Sequence, residues 1–127
     1  MAQQILSFRD LRAYQKMFAL QQEIFRVSNS WPSEEKFALT DQVRRSSRSV
    51  GANISESWAK RRYPPHFVSK LTDADGELQE TSHWLTTALA CEYITDKQHA
   101  DFQARIDEIG RSVGKMMSMP EKFIPKG

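Results

Sequence analysis

Apolar residues along this chain recur at spacings of three and four in four separate stretches, the signature of helices with one buried side. The first stretch is SFRDLRAYQKMFALQQEIFRVSNS, where Ser7 and Asp10 stand as an N-terminal capping pair. Its apolar residues are Leu11, Tyr14, Met17, Phe18, Leu20, Ile24, Phe25 and Val27. They cover an arc of roughly 200°, wider than the ~100° stripe that one core-facing side requires. The surplus width predicts a second buried contact, with another subunit. Pro32 bars helical continuation through Trp31, so the helix ends at SNSWPS.

Ser33 is placed to cap a second helix, with Glu34 and Glu35 in the first turn where the helix dipole favours acids. Its stripe is Leu39, Val43, Ser47, Val50, Ile54 and Trp58, and RRYPPH stops it. After the Pro64-Pro65 turn, Phe67, Leu71, Ala74, Leu78, Thr81, Leu85 and Ala88 form a heptad-like seam. Thr95 and Gln98 make a capping box for the last helix, whose stripe is Phe102, Ile106, Ile109, Val113 and Met116 or Met117. Pro120 ends it and leaves EKFIPKG as a loose tail. Short connections make consecutive helices antiparallel, so the expected fold is all-α, an up-down-up-down four-helix bundle. One domain is expected over residues 1–127, loose at about 1–6 and 120–127.

Composition adds limits. No run approaches the ~18 apolar residues of a membrane span, so no membrane partner is expected. The single cysteine, Cys91, excludes an internal disulfide and suits a reducing cytoplasm; among TTALACEYI it reads as a small core residue. Residues 1–62 hold 11 basic and 6 acidic residues, a net +5, whereas residues 63–127 hold 7 and 10, a net −3. The two halves should attract each other, within one chain or between subunits.

The second helix carries the candidate chemistry. Six basic residues, five serines and a glycine share VRRSSRSVGANISESWAKRR. Ser47, Gly51 and Ser55 line one edge and would let another backbone approach. Ser46, Asn53 and Ser57 form a polar margin on the other side, where a buried Asn53 would need partners and could fix helix register. Arg44, Arg45 and Arg48 lie opposite the stripe, with Lys60, Arg61 and Arg62 further along. Three readings stay open for them: a solvated face with Asp41–Arg45 and Glu56–Lys60 pairs, salt bridges to an acidic neighbouring subunit, or phosphate contacts to nucleic acid.

Catalytic patterns are missing. Glu80 and His83 form a lone Glu-x-x-His, short of the set a di-metal bundle needs; Glu80 suits an inter-helix bond to an arginine of helix 2. DADGE lacks the calcium-loop ligand series, and Asp73 with Glu77 reads as a solvated acidic face. His66, His83 and His99 are dispersed, and the five glycines are isolated. No enzymatic activity, metal, cofactor or small-molecule substrate is expected. Trp58 is expected in the core and Trp31 as a plug at one bundle end. Trp84, about 100° off the helix 3 seam, is the best aromatic for a subunit contact.

Several motifs also carry a family resemblance. FRDLRAYQKMFAL holds Phe8, Leu11 and Tyr14 in a Phe-x-x-Leu-x-x-Tyr/Trp pattern. WPSEEKFALTDQVRRSSRSVGANISES holds Pro32, Glu35, Leu39, Gln42, Val43, Arg44, Arg45, Asn53, Ile54 and Glu56; FVSKLTDADGELQETSHWL holds Gly76, Leu78 and Glu80. Together they resemble the small bacterial four-helix bundle proteins that include those encoded by intervening sequences within 23S rRNA genes. Ser57 stands where that family has glycine and Glu77 where it has serine, so local packing should differ there. The resemblance implies a bundle commonly assembled as a homopentamer, without enzymatic activity and with largely unassigned function. A related branch, the accessory proteins of diversity-generating retroelements, partners a reverse transcriptase and binds nucleic acid through a basic pentamer surface. The expected role is therefore a self-associating module for RNA, DNA or a nucleic-acid-processing protein. Arg44, Arg45, Arg48, Lys60, Arg61 and Arg62 are the candidate nucleic-acid contacts, and Gln42, Asn53, Glu56, Glu80 and Trp84 the packing or subunit contacts. The alternative is a protein–protein adaptor whose arginines serve subunit contacts.

Overall fold

The computed structural model describes residues 4–125 and contains four long helices with no strand among them. They are α1 (Arg12–Ser28), α2 (Asp41–Ala59), α3 (Pro64–Ala90) and α4 (Asp96–Ser118). α1 packs on α2 and α4, and α3 packs on the same two, which closes an antiparallel four-helix bundle. No helix among the described residues is long and apolar enough to cross a membrane.

The core follows the predicted stripes closely. All seven seam residues of α3, from Phe67 to Ala88, are buried, as are Phe102, Ile106, Ile109, Val113 and Met116 of α4. α2 buries Val43, Ser47, Val50 and Ile54, while Trp58 is only half-buried at the edge. Among the polar margin residues, Ser46 and Ser57 are fully buried yet satisfied. The Ser46 hydroxyl meets that of Thr81 in α3 at 2.9 Å, and Ser57 Oγ donates to the Ile54 carbonyl at 2.6 Å. Ser57 therefore stands in the glycine position by turning its hydroxyl back onto its own helix. Buried hydroxyls without such partners would cost stability.

Helix starts differ from expectation in three places. Ser7 and Asp10 do form a capping box, with Ser7 Oγ accepting the Arg9 N–H and Asp10 Oδ2 accepting the Ser7 N–H, but it closes a short 3-10 turn, Phe8–Asp10. Leu11 is extended and buried, and α1 begins after it. Ser33 makes no cap bond: the chain enters α2 through a 3-10 turn (Ser33–Glu35) and a π-helical turn (Lys36–Thr40). Pro64 and Pro65 open α3 rather than forming a separate turn, because a first-turn residue needs no N–H.

The α3–α4 connection corrects the reading of Cys91, which is exposed. Cys91 is already past α3, where the Tyr93 N–H bonds to the Ala88 carbonyl and the Glu92 N–H to the Leu89 carbonyl. This is the Schellman arrangement, and it puts Glu92 in the left-handed region at φ 63°. Glycine is the residue suited to that position, and Glu92 makes no side-chain bond to any described residue. Glu92→Gly is expected to raise stability by about 1 kcal/mol, read as a higher urea midpoint with unchanged slope.

Trp31 is buried at this same end, its ring 6.1 Å from that of Tyr93. The Tyr93 hydroxyl donates to Glu35 Oε2 at 2.8 Å; that bond, helped by desolvation, pushes the phenol pKa up to about 12. At the opposite end, the segment expected as a loose tail packs against the bundle. Pro120–Phe123 forms a 3-10 turn, and the Phe123 ring stacks on Phe67 at 5.2 Å. Residues 1–3 and 126–127, part of the expected loose ends, lie outside the described residues.

Candidate nucleic-acid interface on the second helix

α2 presents one flank to α1 and the other to α3; Arg44, Arg45 and Arg48 lie on it, and Lys60, Arg61 and Arg62 lie in the turn that follows. Arg44 reaches the C-terminal turn of α1. Its Nε donates to Ser28 Oγ at 2.9 Å, and Nη2 donates to Asn29 Oδ1 at 3.0 Å and to the Phe25 carbonyl at 3.3 Å. The guanidinium also lies 4.6 Å above the Phe25 ring. A cation at a helix C-terminus, bonded to a carbonyl of its last turn, is a favourable arrangement.

Arg45 turns the other way. Its Nη2 lies 2.6 Å from Glu80 Oε2, and its Nη1 lies 3.6 Å from Glu77 Oε2, too far for a hydrogen bond. Glu80 thus bonds to a helix 2 arginine as predicted, while its Oε2 also accepts the Trp84 indole N–H at 3.2 Å. Glu77 is half-buried against Arg45 and departs from the expected solvated acidic face. Trp84 is half-buried against the core, with its ring edge toward His83.

Arg48 makes neither hydrogen bond nor ion pair with any described residue, and its guanidinium lies 5.5 Å from the Phe25 ring centre. Arg61 stacks on Trp58 at 3.9 Å and donates to the Trp58 carbonyl at 2.8 Å. Lys60 and Arg62 are exposed, and their side chains have no acidic partner among the described residues. Among the described residues, the cations of the segment whose side chains are left without a polar partner are Arg48, Lys60 and Arg62.

Neither pair expected for a solvated face, Asp41–Arg45 or Glu56–Lys60, forms among the described residues. Longer-range partners outcompete them. Arg45 meets α3, and Glu56 bonds Lys70 Nζ at 2.9 Å. That bond and the lysine charge hold the Glu56 carboxyl below its ordinary pKa and raise that of Lys70. Lys16–Glu108 and Arg105–Glu23 tie α1 to α4, so opposite charges on the two halves of the sequence do meet within one chain.

Three further residues of α2 make contacts within the chain. Asn53 is half-buried and bonds the Ser49 carbonyl and hydroxyl in its own helix, so the polar bridge between α2 and α3 is Ser46–Thr81 instead. Gln42 Nε2 donates to the Phe37 carbonyl at 3.4 Å, within the π-helical turn. Gly51 faces the Tyr14 ring of α1, where an added Cβ would lie 3.6 Å away. A side chain, rather than another backbone, fills the space beside this glycine.

Sequence reasoning passed over one feature of this face. Phe18, 47% exposed, stacks beside Tyr14 with ring centres 6.1 Å apart, and Phe8 meets Tyr14 edge-on at 4.9 Å. The wide apolar arc of α1 was the available signal. Part of it is covered by Arg44 and Arg48 over Phe25, and Phe18 remains open to solvent.

No group of three or more His, Cys, Asp or Glu among the described residues is placed to hold a metal ion. The face is built from cations, hydroxyls and aromatic rings, which suits binding of an anion-bearing partner.

Comparison with known proteins gives two findings. The family model for the 23S rRNA-intervening sequence protein matches residues 9–115. A crystal structure of a protein of unknown function from the S23 ribosomal protein family of Bacteroides thetaiotaomicron is 27% identical. That similarity covers 84% of this chain and 95% of the other, with a TM-score of 0.74. No curated protein gives a match.

Proposed function

The chain belongs to the 23S rRNA-intervening sequence protein family, and from that premise we propose that it is a non-enzymatic, self-associating bundle, a homopentamer, that binds nucleic acid through α2. The observation that carries this reading is the division of the cations. Arg44 and Arg45 are engaged by α1 and α3 of the same chain, whereas Arg48, Lys60 and Arg62 have no carboxylate partner among the described residues. Arg48 and Lys60 are twelve positions apart, so the free charges span roughly 18 Å of helix. Duplex phosphates lie along such a distance, and a ring of copies would multiply the patch despite a net charge of only +2 per chain. Self-association is supported by large apolar side chains left in solvent, above all Phe37 at 75% exposure and Leu6 at 74%.

The adaptor alternative pairs these arginines with α3 acids of another copy. Arg45 already meets Glu77 and Glu80 of its own chain, which leaves that reading with less to work with.

The test is titration of labelled structured RNA and duplex DNA at several salt concentrations. Affinity is expected to fall linearly on a log–log plot. Changing Arg48, Lys60 and Arg62 together to alanine should flatten the slope by about 2 to 3, roughly one per lost phosphate contact. Arg45→Ala should leave it nearly unchanged. Absence of binding at low salt would remove the nucleic-acid role, and a monodisperse monomer at micromolar concentration would remove self-association.

A further inference from the structure

We propose that the groove between α1 and the outer face of α2 takes an unstacked base of a single-stranded RNA or DNA segment, with neighbouring phosphates held by Arg48 and Arg9. The inference rests on the nucleic-acid reading above and specifies the form of the partner. The groove has a volume of about 300 Å³, and its walls are Phe8, Tyr14 and Phe18 on one side and Arg48 and Ser55 on the other. Gly51 forms part of its floor, so no side chain from that position fills it. A second recess, ≈ 480 Å³, lies across the same Tyr14–Phe18 pair and is lined by Arg9 and Gln15. The two rings, inclined by 28°, therefore form a ridge with an open recess and an arginine on each side.

Charge and shape together select the occupant. No carboxylate lines either recess, and neither Arg9 nor Arg48 has an ionic partner among the described residues. A ligand must therefore bring negative charge on both sides of the ridge and flat apolar surface between them. A single strand supplies that alternation, because each nucleotide pairs a phosphate with a base whose face is free to stack. A duplex has its bases already stacked and offers phosphates and base edges but no open base face. Gln21 and Ser55 at the groove edge can hydrogen-bond a base edge without fixing its identity.

The experiment compares oligo(U), oligo(dT) and a duplex of equal length by fluorescence anisotropy, using the full chain. Single strands are expected to bind more tightly than the duplex. Phe18→Ala should weaken single-strand binding roughly 5- to 100-fold while leaving duplex binding unchanged, and Phe18→Trp should restore it. Arg48→Ala should weaken both. Phe18 is exposed, so the variant should melt with the native chain. Unchanged oligo(U) and oligo(dT) affinity in Phe18→Ala, with Arg48→Ala still impaired, would overturn the groove and leave the nucleic-acid reading standing. No binding of any strand at low salt would overturn both. Conversion of an oligomer to monomers by Phe18→Ala, seen by sedimentation velocity, would assign the ridge to a contact between copies and overturn the inference.

Discussion

Phe67→Ala is expected to lower the unfolding free energy by about 3–5 kcal/mol, the range for removing a fully buried aromatic ring. Phe67 opens the α3 seam, is wholly inaccessible to solvent, and carries the Phe123 ring of the C-terminal 3-10 turn at 5.2 Å. The cavity would open at the bundle end, beneath the C-terminal 3-10 turn. A loss of that size is a large fraction of the ~5–15 kcal/mol that holds a domain of this kind together. Urea unfolding followed by circular dichroism measures it. Phe123→Ala should cost less, since that ring is only half-buried, and a double-mutant cycle should return a coupling of about 0.5–1.5 kcal/mol. Phe67→Leu keeps most of the volume and should cost under about 1.5 kcal/mol. Near-native stability of Phe67→Ala would mean the tail and helix ends collapse onto the site.

Much of this fold was legible because its information is periodic. The α3 seam could be read residue by residue, since a residue every three or four positions has one interpretation in a chain of this composition. Thr95 and Gln98 were readable for a similar reason: both halves of that capping box lie within four residues. Ser7 and Asp10 made a true box too, but the sequence pattern does not say how long the capped element is. Leu11, extended and buried, ends it after a single turn.

Features that depend on termination or on distant partners were less legible. Cys91 continues the apolar pattern of TTALACEYI, yet α3 stops at Ala90 because the chain reverses through Glu92, a residue type that does not advertise a left-handed position. The π-helical turn before α2 has no sequence signature. The ion pairs show the same limit. Spacing of four favours Asp41–Arg45 and Glu56–Lys60, each worth only a few tenths of a kcal/mol on an exposed helix. Carboxylates on α3 offered Arg45 a better partner, and Lys70 did so for Glu56. For the candidate interface, the sequence pattern treats the six cations of residues 43–62 alike. Only the packing of α2 between α1 and α3 separates the engaged from the free.

That separation makes a second large effect testable. Arg44→Ala is expected to cost about 2 kcal/mol of stability, because hydrogen bonds from a charged donor contribute more than neutral ones and three are lost together. The α1 C-terminus is what suffers. Ser28 is 2% exposed, and the Phe25 carbonyl and Asn29 side chain lose the guanidinium that bridges them. Part of the loss is offset, since Ser28 Oγ also donates to the Phe25 carbonyl at 3.0 Å. Arg44→Lys should recover only a fraction, because an ammonium cannot present the planar fork that reaches three acceptors. Arg48→Ala, with no polar partner to lose, should stay within about 0.5 kcal/mol of the native chain. Binding should show the opposite ranking, with Arg48 altering the salt dependence and Arg44 altering only the fraction folded. Equal urea midpoints for Arg44→Ala and the native chain would free Arg44 from its structural role and add it to the phosphate-contacting set.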